Sequence, residues 1–544
     1  MTEKGSNSKP LQKELGQFFT PPAVARRLVG WVDAKPADRL LDPACGDGQF
    51  LSLHRRSVGV EVDLGNAALA RLRAPSALIH SGDFFTWASK TQERFEAAVG
   101  NPPFIRYQLF SGEVRDVACR VASRLGAEFN GLSSSWAPFL VGAAGLLKPG
   151  GRMAFVVPAE IGHATYAVPL LECLCRNFSQ VGIVAIRDKL FPELSEDAWL
   201  LFCSGFGGRA DAMGLSAVTG LEDLSEGPDF QRAIPLAEWR AAGCRLRRFL
   251  LPMRMLALYD KLAVSPDVQR FSRVAHAGIG YVTGANDFFH LRPSEAQLWE
   301  LPQRCLRVAV RRAEQLPGKD VDAAAVRGWL AADDPVLLLD LGREGQLPEP
   351  TRRYLETADA KKAKGAYKCR NRNPWYVVPD VRVPDAFLSY MSGLRPTLVS
   401  NSARCVCTNS VHAVRLKGEA SLQQLQRAWE HPLAQLSCEI EGHPLGGGML
   451  KLEPGEAAKT LLPMRKLELS ASAEDDLQEA TMAMRRWRHY AGDNPSPLPQ
   501  PARRATQDAA LESWQSKVSG QKVSPCSATA STPSPSSTRT IGGF

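Results

Sequence analysis

Up to Cys203 the chain alternates short apolar runs with turns rich in glycine, proline and acids. Leu40-Leu41 closes one such run, and Asp42-Pro43-Ala44-Cys45-Gly46-Asp47-Gly48 follows. That pattern predicts a strand end, a tight glycine loop and a helix start at Phe50-Leu51. Residues 57–63 (SVGVEVD) and 78–85 (LIHSGDFF) predict a second and a third strand, each with an acid at its end. Residues 95–100 (FEAAVG) predict a fourth, which runs directly into Asn101-Pro102-Pro103-Phe104. A helix-like stretch, a strand over 151–158 and another over 199–203 complete this part. Strands separated by helical segments predict an α/β, Rossmann-like sheet.

After a glycine-rich link at 205–214 (GFGGRADAMG) the rhythm changes. No nucleotide-type motif occurs from 246 to 490. Residues 277–289 predict a loop between strands, 446–454 a backbone-exposing turn before a strand, and 471–490 a helix. From about residue 491 serine, proline, threonine and alanine dominate without periodicity, which predicts a disordered tail. The expected organisation is a catalytic domain over 1–245, a mixed α+β domain over 246–490 and the tail over 491–544. No internal repeat is visible. No apolar run approaches the roughly 18 residues that would span a membrane.

Composition narrows the partner. A net charge of +9 favours an anionic macromolecule, although arginine-rich bias alone would also produce it. The 12 cysteines are scattered without a Cys-x-x-Cys pair and His is sparse, so no metal site is expected and the thiols should be reduced. Cys45, inside the glycine loop, reads as a small residue chosen for space. The polar start predicts no signal peptide and a cytoplasmic protein.

The chemistry lies in the turns. Asn101 offers a side-chain acceptor, Pro102 has no N–H and presents only a carbonyl, and Phe104 offers a flat apolar face. Together they suit a planar base whose exocyclic amino group is to receive a methyl group. The same tetrapeptide also makes a good turn. The loop at 42–48 lacks the third glycine of a dinucleotide fingerprint, because position 51 is Leu. Asp42 and Asp47 would repel a pyrophosphate, whereas S-adenosylmethionine brings a sulfonium and an α-amine. Glu61, with Asp63 second to it, stands where ribose hydroxyls are held in such sheets. Asp83 is placed to accept from an adenine amino group and Phe84 to pack on the ring. Taken singly, a Gly-x-Gly is common, an acid after a strand is usually solvated, and a Phe pair is usually core. In order, each at a strand end, the pieces favour a cofactor site.

The ordered set resembles the γ-class amino-methyltransferases of DNA, the TaqI-type and Eco57I-type adenine-N6 enzymes, and is similar to their BsuBI/PstI-like group. The carriers are Gly16-Gln17-Phe18-Phe19-Thr20-Pro21-Pro22, DPACGDG at 42–48, VEVD at 60–63, GDFF at 82–85, NPPF at 101–104 and Leu190-Phe191-Pro192-Glu193. Phe104 departs from many members, which have Tyr there. The resemblance implies that Thr20 and Pro21 close over the methionine end of S-adenosylmethionine. Asp42, Pro43, Ala44, Gly46 and Gly48 would hold its amino-acid part, Glu61 the ribose, and Asp83, Phe84 and Pro103 the adenine. Asn101 and Pro102 would be catalytic, with Phe104 and Phe191 stacking on the target base. Because a base inside a duplex is out of reach, it would have to be extruded.

The second half supplies candidate DNA contacts. Residues 351–375 carry eight Lys/Arg against two acids, interleaved with Tyr354, Tyr367 and Trp375. That is the pattern of a phosphate-contacting surface or of a solvated loop. Thr283 and Asn286, Lys368, Arg370 and Arg372, and Asn401 and Arg404 are the named candidates; Arg and Asn read guanine and adenine edges. The expected partner is double-stranded DNA, the expected state a monomer, and any restriction endonuclease a separate chain. The same chemistry on cytosine N4, RNA or protein glutamine stands as the alternative, as does a non-catalytic DNA-binding module. The absence of Ser-Pro-Pro-Trp speaks against cytosine, and the large basic second half against glutamine.

Overall fold

Strands β1 (Leu40–Asp42), β2 (Ser57–Glu61) and β4 (Phe95–Gly100) are buried almost throughout, as befits a parallel sheet covered on both faces. The computed structural model describes residues 19–32, 34–105, 110, 112–129, 133–192, 197–224, 228–342 and 346–490. Gly16, Gln17, Phe18, Glu193 and the tail at 491–544 therefore lie outside the described residues. With β3 (Leu78–Ser81), β5 (Leu147–Pro158), β6 (Phe178–Ile186), β7 (Ala198–Phe206), β8 (Ala212–Val218) and β9 (Arg232–Pro235), these strands build one nine-stranded sheet. Its order is β3-β2-β1-β4-β5-β7-β6-β8-β9. Strands β1 to β5 pair parallel, and β7 runs antiparallel to both β5 and β6.

The direction of winding reverses between β1 and β4. In open α/β sheets that switch point opens the crevice where ligands bind. Asp42 and Gly100 end the two strands there, so the two motifs singled out in the sequence meet by topology.

Each face of the sheet has its own apolar layer. Helix α1 (Pro22–Val32) lays Val24, Leu28 and Val32 against Ala97, Val99, Val156 and Leu200. On the other face lie α3 (Phe84–Lys90), α4 (Gly112–Ser123), α5 (Trp136–Ala144) and α6 (Ala167–Asn177), with α2 (Leu64–Arg73) flanking β2 and β3. All nine residues of α5 are buried, which matches its unbroken apolar sequence.

Two local expectations are corrected. The helix start after the glycine loop is one 3₁₀ turn, Leu51–Leu53, because the chain must re-enter the sheet at Ser57. The glycine-rich link at 205–214 does not leave the sheet: β7 runs to Phe206 and β8 resumes at Ala212, so the catalytic sheet reaches Pro235.

The apolar cluster of the α3–α6 face continues past residue 246, taking in Leu256, Leu433, Leu436, Leu477 and Met484. Helices Met253–Ala263, Pro432–Glu441 and Ala471–Arg486 supply these residues. Ion pairs support the junction: Arg245 meets Glu456 at 2.6 Å, and buried Arg488 meets Glu439 at 2.7 Å. Beyond it stand smaller sheets, including one ordered Ala275–Ile279, Val411–Leu416, Ala386–Ser389, Leu398–Ser400.

Candidate active site

A cavity of about 290 Å³ sits at the switch point. Pro43, Ala44 and Gly46 from the loop after β1 line it, with Glu61 from β2, Asp83 and Phe84 from the start of α3, and Asn101 and Pro103 after β4. Residues some 60 positions apart in the chain thus share one chamber. Among the described residues its lining contains no His, Lys or Arg.

The glycine loop is shaped by space. Gly46 and Gly48 have φ of 52° and 84°, in the left-handed region. A Cβ on Gly48 would lie 2.9 Å from the Ala70 Cα of α2. Glu61 then ties the loop down: one carboxylate oxygen accepts from the Gly46 amide and the other from the Asp63 amide, each at 2.8 Å. Each oxygen keeps acceptor capacity toward the cavity. Burial, the largest influence, raises the Glu61 pKa.

Asp42 is fully buried. Its Oδ1 accepts from the Ala44 amide at 3.2 Å. Oδ2 has no partner, and it is the only buried carboxylate oxygen so left among the described residues. Desolvation pushes its pKa up to about 8. An orphaned buried carboxylate is costly unless a cationic donor reaches it. Asp42 does not line the cavity itself but directly precedes Pro43 and Ala44, which do, and its carboxyl suits a ligand carrying an ammonium group, as S-adenosylmethionine does. Asp47 does not share this role: it pairs with Arg73 on α2 and turns away. Asp63 and Asp83 cap α2 and α3 by accepting from the Asn66 and Thr86 amides at 2.8 and 2.7 Å. Asp83 also lines the cavity, beside Phe84, whose ring stacks on Phe139 at 5.2 Å. Cys45 is buried and its thiol is pushed well up by desolvation, so it is an inert space-filler.

The Asn101–Phe104 turn is held by a residue that sequence reasoning missed. Ser135, fully buried ahead of α5, donates its hydroxyl to the Pro103 carbonyl at 2.6 Å and accepts from the Ile105 amide at 3.1 Å. Its own amide donates to the Ile105 carbonyl at 3.0 Å. A serine before an apolar helix reads as an N-cap, yet Ser135 makes no side-chain cap bond; its hydroxyl serves the turn instead. Among the described residues none donates to the Pro102 carbonyl, which leaves that acceptor open. Ser135→Ala should lower stability by about 1 kcal/mol, because two part-buried backbone groups lose their partner. Thermal melts check this.

Other site residues sit as follows. Thr20 is buried just before α1, Pro21 is half-buried, and Phe19, unassigned in the sequence reading, lines the cavity with its ring over Gly46. Phe104 is half-buried. Phe191 is only 7% exposed and packs into the α1-side cluster, against which Phe104 also leans. Its ring is thus packed into that layer rather than lying open to a base.

In the second lobe, three expected base readers are spent internally. Thr283 is buried and donates to Asn286 Oδ1 at 2.6 Å. Arg372 donates to the Val282 and Thr283 carbonyls at 2.5 and 2.7 Å, bracing that loop. Asn401 is buried, donating to the Pro384 and Cys405 carbonyls and accepting from the Cys405 amide. Asn286, Lys368, Arg370 and Arg404 remain exposed. Of the interleaved aromatics, Tyr354 and Trp375 pack onto the lobe's core and only Tyr367 is exposed, under Arg370 at 5.3 Å.

Comparisons with known proteins agree with this geometry. The family described as "N-6 DNA Methylase" matches residues 5–191, and that described as "Type II methyltransferase M.Eco57I, C-terminal domain" matches 245–491. Type II methyltransferase M.TthHB8I of Thermus thermophilus is 32% identical over 161 residues, 27% of this chain and 35% of that protein. Type II methyltransferase M.CvrRI of Paramecium bursaria Chlorella virus XZ-6E is 28% identical over 191 residues, 34% of this chain and 47% of that protein. The tRNA1(Val) (adenine(37)-N6)-methyltransferase of Actinobacillus succinogenes is 30% identical over 175 residues, 29% of this chain and 70% of that protein. The chain spans less than half the length of the two type II methyltransferases. With two family matches that follow one another along the sequence, over 5–191 and 245–491, the chain belongs to the N6-adenine DNA methyltransferase family.

Proposed function

We propose that the protein methylates adenine N6 in a specific duplex DNA sequence, as the modification enzyme of a type II restriction–modification system. The observation that carries this is the shared chamber: the Asn101–Pro103 turn borders the same cavity as the Gly46 loop, Glu61 and Asp83. When bound, S-adenosylmethionine supplies an electrophilic methyl group. The orphaned oxygen of Asp42 would receive its ammonium group, and the free acceptor capacity of Glu61 its ribose hydroxyls.

The protein's own work is positioning and electrostatics. The amino lone pair of adenine is conjugated into the ring and poorly nucleophilic. Asn101 and the Pro102 carbonyl, accepting its two hydrogens, favour the pyramidal form and stabilise the positive charge that develops there. Phe104 offers its face to the extruded base, offsetting part of the unstacking cost. No strong base is required, because the methylated ammonium is acidic.

In this reading residues 1–245 are catalytic and 246–490 recognise the target, with Asn286, Lys368, Arg370 and Arg404 as contacts. The protein acts as a cytoplasmic monomer, and any cognate endonuclease is a separate chain. The similarity to the tRNA1(Val) enzyme favours one second reading, the same chemistry on RNA. Transfer of radiolabelled methyl to duplex DNA and to tRNA, compared side by side, separates the two. Label confined to adenine in DNA supports the first reading, and label confined to RNA rejects it.

A further inference from the structure

Two tips of the second lobe combine a rigid backbone with exposed apolar side chains. Met391–Ser392 pairs with Met449–Lys451, which pairs with His443–Leu445, in one small three-stranded sheet. Leu394 and Leu445 stand at its turns, 46% and 38% exposed. The backbone beneath them is pinned by Arg488, which is wholly buried. Its guanidinium donates to the Leu394 carbonyl at 3.0 Å and to the Gly448 carbonyl, and is neutralised by Glu439 at 2.7 and 2.8 Å. Gly447 and Gly448 turn the second tip with φ of 76° and 78°, and a Cβ on Gly448 would meet the His489 carbonyl at 2.8 Å. Burying a charged side chain to fix two loops, while leaving leucines on them in water, is the arrangement of a contact surface and not of a core.

The position of this surface indicates its occupant. The residue after Arg488, His489, pairs with Asp197 at 3.0 Å. Asp197 in turn accepts from the Ala159 amide at 2.8 Å and stands just before β7, six residues beyond Phe191. The tips are thus tied to the edge of the sheet where β5 ends at Pro158 opposite Ala198, the same edge at which β1 and β4 end. Arg395, next to Leu394, is exposed and has no ion pair among the described residues, a free cation for a phosphate.

We propose that Leu394 and Leu445 are the apolar wedge that enters the base stack at the target adenine. Resting on the methyltransferase reading above, this assigns the tips the task of occupying the space that the extruded base vacates. Apolar side chains inserted between base steps unstack them and kink the duplex. A wedge held on a pinned backbone lowers the cost of extrusion without touching the methyl-transfer geometry.

The test compares two duplexes in single turnover with the full-length protein. One has a matched target adenine; in the other the target faces an abasic site, so that it is already loosely stacked. The Leu394→Ala/Leu445→Ala variant should lose about tenfold or more in rate on the matched duplex and stay within about threefold of wild type on the abasic one. Leu394→Met/Leu445→Met should keep most of the matched-duplex rate. Unchanged S-adenosylmethionine affinity shows that the variants are folded. Equal losses on both duplexes, or no loss on either, would overturn the wedge. A wild-type protein that methylates neither duplex would overturn the methyltransferase reading and the wedge with it.

Discussion

Asn101→Ala should abolish methyl transfer, with a loss of at least about 10³-fold in single-turnover rate, while S-adenosylmethionine affinity stays within a few-fold of wild type. The loss is large because the amide acts where charge develops. An acceptor held in place by the surrounding fold reorganises little during reaction, so its removal appears almost entirely in the transition state. The next residues of the turn are fixed by Ser135, so a truncated Asn101 keeps their anchor and loses the amide acceptor. A radiolabelled-methyl assay with isothermal titration of the cofactor separates the two effects. Turnover within tenfold of wild type would exclude Asn101 as an acceptor for the target amine.

Asp42→Asn should act in two opposite directions. The wild-type carboxyl, buried and without a partner on Oδ2, has its pKa raised to about 8 from an ordinary 3.8. Between those values the folded protein holds a proton that the unfolded chain releases. The stability this group contributes is full below about pH 4 and is lost as pH rises through about 8. The amide carries no such penalty, so the ligand-free variant should lose less stability than wild type on going from pH 6 to pH 8.5. Cofactor binding should change the other way. Without a carboxylate to meet the ammonium group, affinity should fall by about 2–3 kcal/mol, roughly 30- to 150-fold. Wild-type binding at pH 7 should also release a proton as Asp42 ionises, and the variant's should not. Titration in buffers of different ionisation enthalpy reads this directly, and identical proton release from both proteins would reject the assignment.

Both residues were singled out in the sequence because their signals are local. A strand-end acid ahead of a glycine loop and an Asn-Pro-Pro turn after an apolar strand need only a few neighbouring residues to be read. The order of the motifs put each at a strand end, and the fold brings the ends of β1 and β4 side by side at the switch point. Ser135 was not legible, because its hydroxyl serves backbone groups 30 and 32 positions away and nothing near it in sequence marks the contact. Asp47 shows the same blindness in reverse: one loop offered two acids, and only the fold reveals that Arg73 takes the second. In the second lobe, residue type misled. Asn401 and Arg372 have the chemistry of base readers, yet burial and backbone acceptors claim them. A glycine-rich stretch read as a link proved to be the crossing from β7 to β8, because glycine marks a turn without saying whether the chain returns to the same sheet.

Single-molecule sequencing of DNA from cells expressing the protein reads methyl transfer to adenine directly. N6-methyladenine is expected at every copy of one short sequence, lost when Asn101→Ala replaces wild type. Unmodified DNA in cells that contain folded, cofactor-binding protein would contradict it.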